Sequence, residues 1–106
     1  MGLTFKEDCS DVRNSGTKTV IEKLKQNNCD LDLYDPWADK FEIKKVYNDY
    51  PISKPTQKKY DSVVISVAHE KFKDLGIKTI KRFCKKNYII YDLKSLFSKD
   101  DDVIRL

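Results

Sequence analysis

The stretch Ser62-Val63-Val64-Ile65-Ser66-Val67-Ala68 is the clearest sign of the fold in this chain of 106 residues. It is nearly continuous, apolar and rich in β-branched residues, which is typical of a parallel strand covered on both faces. Strand-like and helix-like segments alternate on both sides of it. Such alternation favours a parallel sheet with helical crossovers, so the sequence predicts an α/β fold.

The segments before this strand set the first part of that pattern. Apolar residues at helical spacing predict a helix over 17–26, with Val20, Ile21 and Leu24 on one face. Asn14 and Ser15 are candidate caps of this helix, and Asn27 is a candidate stop. The alternation of Cys29, Leu31 and Leu33 with acidic residues then predicts a strand that ends at Asp35-Pro36. The helix-like stretch that follows has Trp37, Phe41 and Val46 as its predicted inward residues.

The segments after the strand repeat the alternation. Ile77, Ile80, Phe83 and Cys84 have helical spacing, and residues 88–91 form a second buried-strand candidate. A loop over 97–102 precedes an edge-strand candidate at 103–106. Ligands of parallel α/β sheets bind at the carboxyl ends of the strands, where the loops gather. We therefore expect the loops after residues 5, 35, 68 and 91 to lie close together.

Composition excludes several classes of protein. The chain has 21 Lys and Arg against 17 Asp and Glu, a net charge of +4, which is too small to indicate nucleic-acid binding by itself. The lysine-rich stretch 78–86 is interpreted as a solvated helix face. The three cysteines form no CxxC pair and there is one histidine, so no zinc site is predicted. No apolar run approaches the ~20 residues of a membrane span, and no apolar signal segment is evident. We expect a cytoplasmic protein with reduced thiols.

The loop over residues 5–15 is the densest functional candidate. It follows a short apolar start and precedes a helix, where α/β domains hold phosphates. Lys6 and Arg13 could flank a pyrophosphate there, although neither glycine-rich phosphate motif is present. The alternative is that Lys6 and Arg13 only neutralise the three acidic residues of the same loop. The sequence of the loop by itself slightly favours this alternative.

Cys9 and His69 are the other residues with possible chemistry. Cys9 could be a nucleophile at a helix start, but acids surround it and a structural thiol is the favoured interpretation. His69 ends the decisive strand and could act as a general base. A hydrogen-bonded histidine at the strand end is the favoured alternative.

Several motifs together resemble the UDP-binding C-terminal domain of the UDP-glucose/GDP-mannose dehydrogenase family. They are GLTFKEDCSDVRNS at 2–15, DLYDPW at 32–37, YDSVVISVAHEKF at 60–72, IYDLK at 90–94 and the terminal RL at 105–106. The amino-acid sequence of the first loop is most similar to that of enzymes that act on UDP-N-acetylhexosamines. The resemblance covers nearly the whole chain and implies one domain over 1–106, with a Rossmann-like sheet and helices on both faces.

The resemblance also implies a function and a set of residues. Family members oxidise the primary alcohol of a nucleotide sugar to a uronic acid with two molecules of NAD, for surface-polysaccharide synthesis. By analogy, Phe5 and Lys6 would line the UDP-sugar, Lys94 would face the nucleotide and Arg13 would reach NAD. The implied partners are an N-terminal NAD domain and a central dimerising helix, which make the enzyme a homodimer.

Two departures from the family pattern lead to further expectations. Met1 stands where relatives have a full apolar strand, so we expect the first strand to be truncated and its neighbours exposed. The catalytic cysteine of the family has no counterpart here, so this chain should be inactive alone. The alternative is a stand-alone nucleotide-binding or interaction module that has lost catalysis.

Overall fold

The computed structural model describes residues 1–13, 16–98 and 102–105. The elements in chain order are α1 (Thr17–Gln26), α2 (Lys40–Tyr47), β1 (Tyr60–Ile65), α3 (Glu70–Leu75), α4 (Ile77–Arg82), β2 (Cys84–Asp92) and β3 (Ile104–Arg105). The strands form one sheet in the order β1-β2-β3, and both neighbouring pairs are parallel. The predicted α/β fold with a parallel sheet is confirmed, including the edge strand at the end of the chain.

Two apolar clusters stabilise the sheet and its helices. The first joins α3 and α4 to β1 and β2 through Val63, Ile65, Phe72, Ile80, Phe83, Cys84 and Ile90. The second joins α1 and α2 to the start of the chain through Leu3, Val12, Ile21, Leu33, Ile43 and Tyr47. The structure is therefore consistent with a Rossmann-like layering of helices around a parallel sheet. In the described part of the chain, no helix has the length and apolar character to cross a membrane.

The predicted positions of the helices are confirmed more often than their predicted inward faces. The first helix has the predicted bounds, and Ile21 is buried between half-buried Val20 and Leu24. The inward face predicted for α2 is confirmed for Val46, which packs against the second cluster, and wrong for Phe41, which is exposed while Ile43 and Tyr47 are buried. The side chain of Asp39 caps this helix by accepting the N–H groups of the first turn. Trp37 precedes the helix and is also partly exposed.

Other local predictions need correction. Gly76 has a φ of 80° and separates α3 from α4, and the helical spacing predicted from Ile77 to Cys84 holds only as far as Arg82. Cys84 is therefore the buried first residue of β2 and not a helix residue. The candidate caps Asn14 and Ser15 lie outside the described residues.

The predicted strand over residues 29–33 is not formed. Two long-range backbone hydrogen bonds reach the end of this segment, Gly2 N–H to Tyr34 O at 2.9 Å and Ile52 N–H to Leu33 O at 2.8 Å. A ladder needs repeated bonds along an edge. Of the alternating residues, Cys29 is exposed and Leu33 is buried, so they do not share one buried face.

Residues 1–3 occupy a position between β1 and the extended segment that ends at Tyr34. The Met1 nitrogen donates to Val64 O at 2.7 Å, and Ser66 N–H donates to Met1 O at 2.9 Å, which is the pattern of parallel strands. Gly2 has a φ of 97°, and a Cβ there would lie 2.7 Å from the nitrogen of Val67. Only glycine fits this position. The expected exposure of apolar side chains beside this segment is wrong, because Val63, Val67 and Leu33 are buried.

A groove of about 120 Å³ continues the line of residues 1–3 along β1. Its walls include Leu24, Leu31, Tyr34, Val64 and Phe83. An apolar groove beside a strand edge favours pairing with another chain. We expect the 106-residue polypeptide on its own to self-associate through this groove.

Sedimentation velocity over a range of concentrations tests that expectation. Leu31→Lys should weaken the association by placing a charge in the groove wall. Ile89→Lys is the matched control, because Ile89 is exposed and outside the groove lining. A wild-type chain that stays monomeric at high concentration and melts cooperatively at high temperature would contradict the expectation.

Candidate functional site

Residues 4–11 form a closed loop after the short first segment. Phe5 N–H donates to Asp11 O at 2.7 Å and closes the loop at its base. The Thr4 hydroxyl donates to Lys6 O at 2.9 Å. Asp8 has a φ of 54°, a left-handed conformation that Asp adopts more readily than most residues. These contacts give the backbone of the loop a defined shape.

A cavity of about 320 Å³ lies between this loop, α1 and the carboxyl ends of two strands. Its lining comprises Thr4, Phe5, Lys6, Glu7, Gly16, Thr17, Val20, Ser66, Val67, Leu93 and Lys94. Ser66 and Val67 directly follow β1, and Leu93 and Lys94 directly follow β2. The expected gathering of loops at the carboxyl edge is therefore confirmed for these segments.

The cavity has more positive than negative charge among its described lining residues. Lys6 and Lys94 contribute two ammonium groups, and Glu7 contributes one carboxylate. All three side chains are exposed, and within the described ranges neither Lys6 nor Lys94 has an ion-pair partner. Two unpaired cations beside backbone loops are suited to an anion such as a diphosphate.

An aromatic ring completes this surface. Phe5 is 59% exposed at the cavity, although its neighbours in sequence, Leu3 and Thr4, are buried. An exposed ring provides an apolar face for stacking against a planar or ring-shaped ligand. The sequence prediction grouped Phe5, Lys6 and Lys94, and the structure brings these three residues to one cavity.

The turn that carries Lys94 depends on the carboxylate of Asp92, which directly follows the strand predicted over residues 88–91. Asp92 is fully buried. It accepts the N–H groups of Leu96 at 2.9 Å and Phe97 at 2.8 Å. These bonds hold residues 92–97 in a compact turn directly after β2. An aspartate directly after an apolar run is the sequence signal for such a turn.

Arg13 is not part of the cavity lining. Its Nε and Nη2 atoms each donate to the Asp11 carboxylate at 3.0 Å, and its backbone N–H donates to the same carboxylate at 2.9 Å. The side-chain hydrogen bonds from Arg13 are the main reason that the pKa of Asp11 is lowered. Among the described residues, Arg13 is therefore paired with an acid of its own loop, whereas Lys6 is not.

His69 lies beneath the loop and is fully buried. Its Nδ1 accepts the backbone N–H of Asp8 at 2.9 Å, and its Nε2 lies 2.9 Å from Asp35 Oδ2 and 3.2 Å from Thr4 Oγ1. His69 is not among the residues that line the cavity. The prediction of a hydrogen-bonded histidine at the strand end is confirmed.

Asp35 is the residue that sequence reasoning missed. Its buried carboxylate accepts the N–H groups of Leu3 at 2.7 Å and Trp37 at 2.8 Å in addition to His69. Burial by itself would raise the pKa of Asp35, but the hydrogen bonds from His69, Leu3 and Trp37 outweigh burial and the pKa is lowered. Asp35 is thus an ionised group that joins three segments of the chain.

Cys9 has a modest structural role. It is half-buried, and its Sγ accepts the backbone N–H of Asp11 at 3.4 Å. This contact supports the interpretation of Cys9 as a structural thiol of the loop. The contact also links Cys9 to the residue that orients Arg13.

Comparison with known proteins gives the family. Residues 1–99 match the model of the UDP-glucose/GDP-mannose dehydrogenase family, UDP binding domain. The chain belongs to this dehydrogenase family. It is 35% identical over 106 residues to UDP-N-acetyl-D-glucosamine 6-dehydrogenase of Salmonella typhi, and 36% identical over 106 residues to the Pseudomonas aeruginosa enzyme of the same name. Both matches cover 100% of this chain.

More distant members of the family are similar over most of the chain. A UDP-N-acetyl-D-mannosamine dehydrogenase of Methanococcus aeolicus is 31% identical over 98 residues, which are 89% of this chain and 21% of that protein. The first two relatives are matched over 25% of their length. The chain therefore spans about a quarter of the curated relatives that it matches, and it corresponds to the UDP-binding part of the dehydrogenase family.

Proposed function

We propose that residues 1–106 are the UDP-sugar-binding domain of an NAD-dependent nucleotide-sugar 6-dehydrogenase. The proposed substrate is a UDP-N-acetylhexosamine, which the complete enzyme oxidises to the uronate for surface-polysaccharide synthesis in the cytoplasm. The main support for the proposal is the cavity at the strand ends, which Lys6, Lys94 and Phe5 line together. The names of the relatives support the choice of substrate.

The proposed binding mode follows from the charges of the cavity. A diphosphate carries negative charge and several acceptor oxygens, so the ammonium groups of Lys6 and Lys94 would donate charge-assisted hydrogen bonds to it. The ring of Phe5 would pack against the uridine or the sugar. In this role Lys6, Lys94 and Phe5 bind and orient the substrate, and no residue of this chain is proposed to be catalytic.

NAD is proposed as the cofactor of the complete enzyme, where it accepts the hydride. The described residues offer it one candidate contact. Arg13 is 78% exposed, and Asp11 fixes the orientation of its guanidinium. Such a preoriented cation outside the UDP cavity is suited to a phosphate of a second ligand. The proposed partners are the NAD domain and the dimerising helix of a homodimeric enzyme.

Titration with UDP tests the proposed function directly. The isotope-labelled chain should show saturable changes in the backbone amide signals of Lys6, Lys94 and Ser66, with smaller changes on α2. Cytidine diphosphate separates recognition of the base from recognition of the phosphates. Equal and unsaturable changes over the whole surface would contradict a specific site.

We also expect the 106-residue polypeptide alone to oxidise no UDP-sugar. A hydride acceptor site and a thiol nucleophile are both needed, and the sequence encodes neither the glycine-rich dinucleotide motif nor the cysteine motif of the family. NADH formation with UDP-N-acetylglucosamine should equal the rate without protein. Turnover that persists through further purification would contradict the proposal that this domain binds the UDP-sugar without oxidising it.

A further inference from the structure

The loop that carries Phe5 and Lys6 is held from below by a buried histidine. Three contacts tie residues 4–8 to the start of α3. Asp8 N–H donates to His69 Nδ1 at 2.9 Å, Thr4 Oγ1 lies 3.2 Å from His69 Nε2, and Asp8 Oδ1 accepts the N–H of Glu70 at 2.9 Å. Phe5 and Lys6 lie within the span that these contacts enclose.

The hydrogen bonds determine the tautomer of the ring. A nitrogen that accepts a backbone N–H cannot carry a proton, so Nδ1 of His69 is the unprotonated nitrogen. The proton is therefore on Nε2, where the Asp35 carboxylate accepts it at 2.9 Å. The ring is enclosed by Phe72, in edge contact at 5.2 Å, and by Trp37 at 6.1 Å between centroids. This packing leaves the ring no access to solvent.

The conformation of Asp8 shows why the loop needs such support. A φ of 54° is a left-handed conformation, which is unfavourable for a residue with a side chain. The N–H of Asp8 finds its partner in the buried ring of His69, and its carboxylate finds one in α3. Without the acceptor at Nδ1, the loop would lose the contact that compensates for this conformation.

We propose that His69, neutral and protonated on Nε2, is the positioning residue that holds loop 4–8 in the form that binds the UDP diphosphate, a role that rests on the proposed function. His69 does not touch the ligand. It acts through the backbone of Asp8, and so fixes where the ammonium of Lys6 and the ring of Phe5 lie at the cavity.

The first experiment uses the wild-type chain. Nitrogen NMR of the imidazole should show protonation on Nε2 at neutral pH. A scalar coupling across the hydrogen bond should join the Asp8 amide nitrogen to Nδ1. A ring protonated on Nδ1, or on both nitrogens, would overturn the proposal whatever the variants do.

The second experiment separates the two nitrogens of the ring. His69→Asn keeps an acceptor near the place of Nδ1 and loses the contact with Asp35, whereas His69→Gln keeps a donor near Nε2 and loses the acceptor for Asp8. We expect His69→Gln to weaken UDP binding by about tenfold or more, the value of one hydrogen bond. His69→Asn should stay within about threefold of wild type. A purely structural role through Asp35 predicts the reverse order.

The control is Asp74→Ala, because the Asp74 side chain is exposed on α3, outside the cavity lining, and makes no hydrogen bond among the described residues. It should bind UDP as wild type does. If both His69 variants are folded and bind UDP normally, the positioning role is overturned. If the wild-type chain binds no UDP, the proposed function fails. Hydrogen exchange at Lys6 and Glu7 then decides the positioning role, with faster exchange in His69→Gln than in His69→Asn supporting it and equal exchange overturning it.

Discussion

Asp35→Ala should lower the free energy of unfolding by roughly 3 kcal/mol, because the substitution removes an acceptor from three donors, of which only the His69 ring keeps another, Thr4 Oγ1 at 3.2 Å, and a buried donor without a partner costs about 1–3 kcal/mol. The three donors are the N–H groups of Leu3 and Trp37 and the Nε2–H of His69. The effect would remove a large part of the stability of a domain of this size.

Urea denaturation of the wild type and the variant measures this difference. Asp39→Ala is the matched control, since Asp39 also accepts two backbone N–H groups but is exposed at the start of α2. Loss of that cap should cost about 0.5–2 kcal/mol. Equal losses for the two variants would show that burial of Asp35 adds nothing to its role.

The pH dependence of stability gives a second view of Asp35. Its pKa is lower in the folded chain than the ordinary value of 3.8, so the unfolded chain takes up the proton first as the pH falls. The stability that Asp35 contributes is therefore complete above about pH 5 and decreases as the pH falls below 4 towards the folded pKa. The unfolding free energy of Asp35→Ala should fall less steeply across this acidic range than that of wild type.

Lys6→Ala should weaken UDP-sugar binding by about 1.5–3 kcal/mol, which is roughly a 10- to 150-fold loss of affinity. The ammonium of Lys6 faces the cavity and has no ion-pair partner in the described part of the chain, so its charge is available to a diphosphate. Calorimetry measures the change. Lys78→Ala, which removes the same charge from the exposed side of α4, should leave the affinity within about twofold.

Arg13→Ala should have the opposite profile. Arg13 is outside the cavity lining, so UDP binding should be unchanged, while the use of NAD should fall. Because NAD is used by a complete enzyme, the variants are compared in a chimera. In it, this chain replaces the matching quarter of the Salmonella typhi relative. If neither substitution changes either ligand and both lower stability, Lys6 and Arg13 only neutralise neighbouring acids.

The sheet and the first helix could be predicted because their signals are local. Continuous β-branched residues mark β1, and the bounds of α1 follow from its apolar spacing and its stop at Asn27. The inward face of α2 could not be predicted, because four of its eight residues are apolar or aromatic and more than one face is possible. A distant contact decides it, the hydroxyl of Tyr47 donating to Leu3 O at 2.6 Å.

The residues that line the candidate site could be predicted, but the contacts that hold its loops in place could not. Lys6 and Arg13 lie among the same acidic residues, and the sequence does not tell which of the two is paired. Asp11 selects Arg13 because it is two residues away and its carboxylate meets the guanidinium with two bonds. The pairing of Asp35 with His69 spans 34 residues and has no local signal. Only the folded chain brings these two groups together.

The ties beneath the loop also bear on the order in which the domain folds. Residues 4 and 8 meet His69 and Glu70 across 61 to 65 positions of the chain, so these contacts close the longest loops of the site. Loop closure of this length is entropically expensive and comes after the local pairing of neighbouring elements. A partly folded chain that has joined β1, α3, α4 and β2 would still lack a fixed ligand loop. A nucleotide should therefore bind the fully folded domain and not this partly folded state. Its binding would stabilise only the folded domain by mass action.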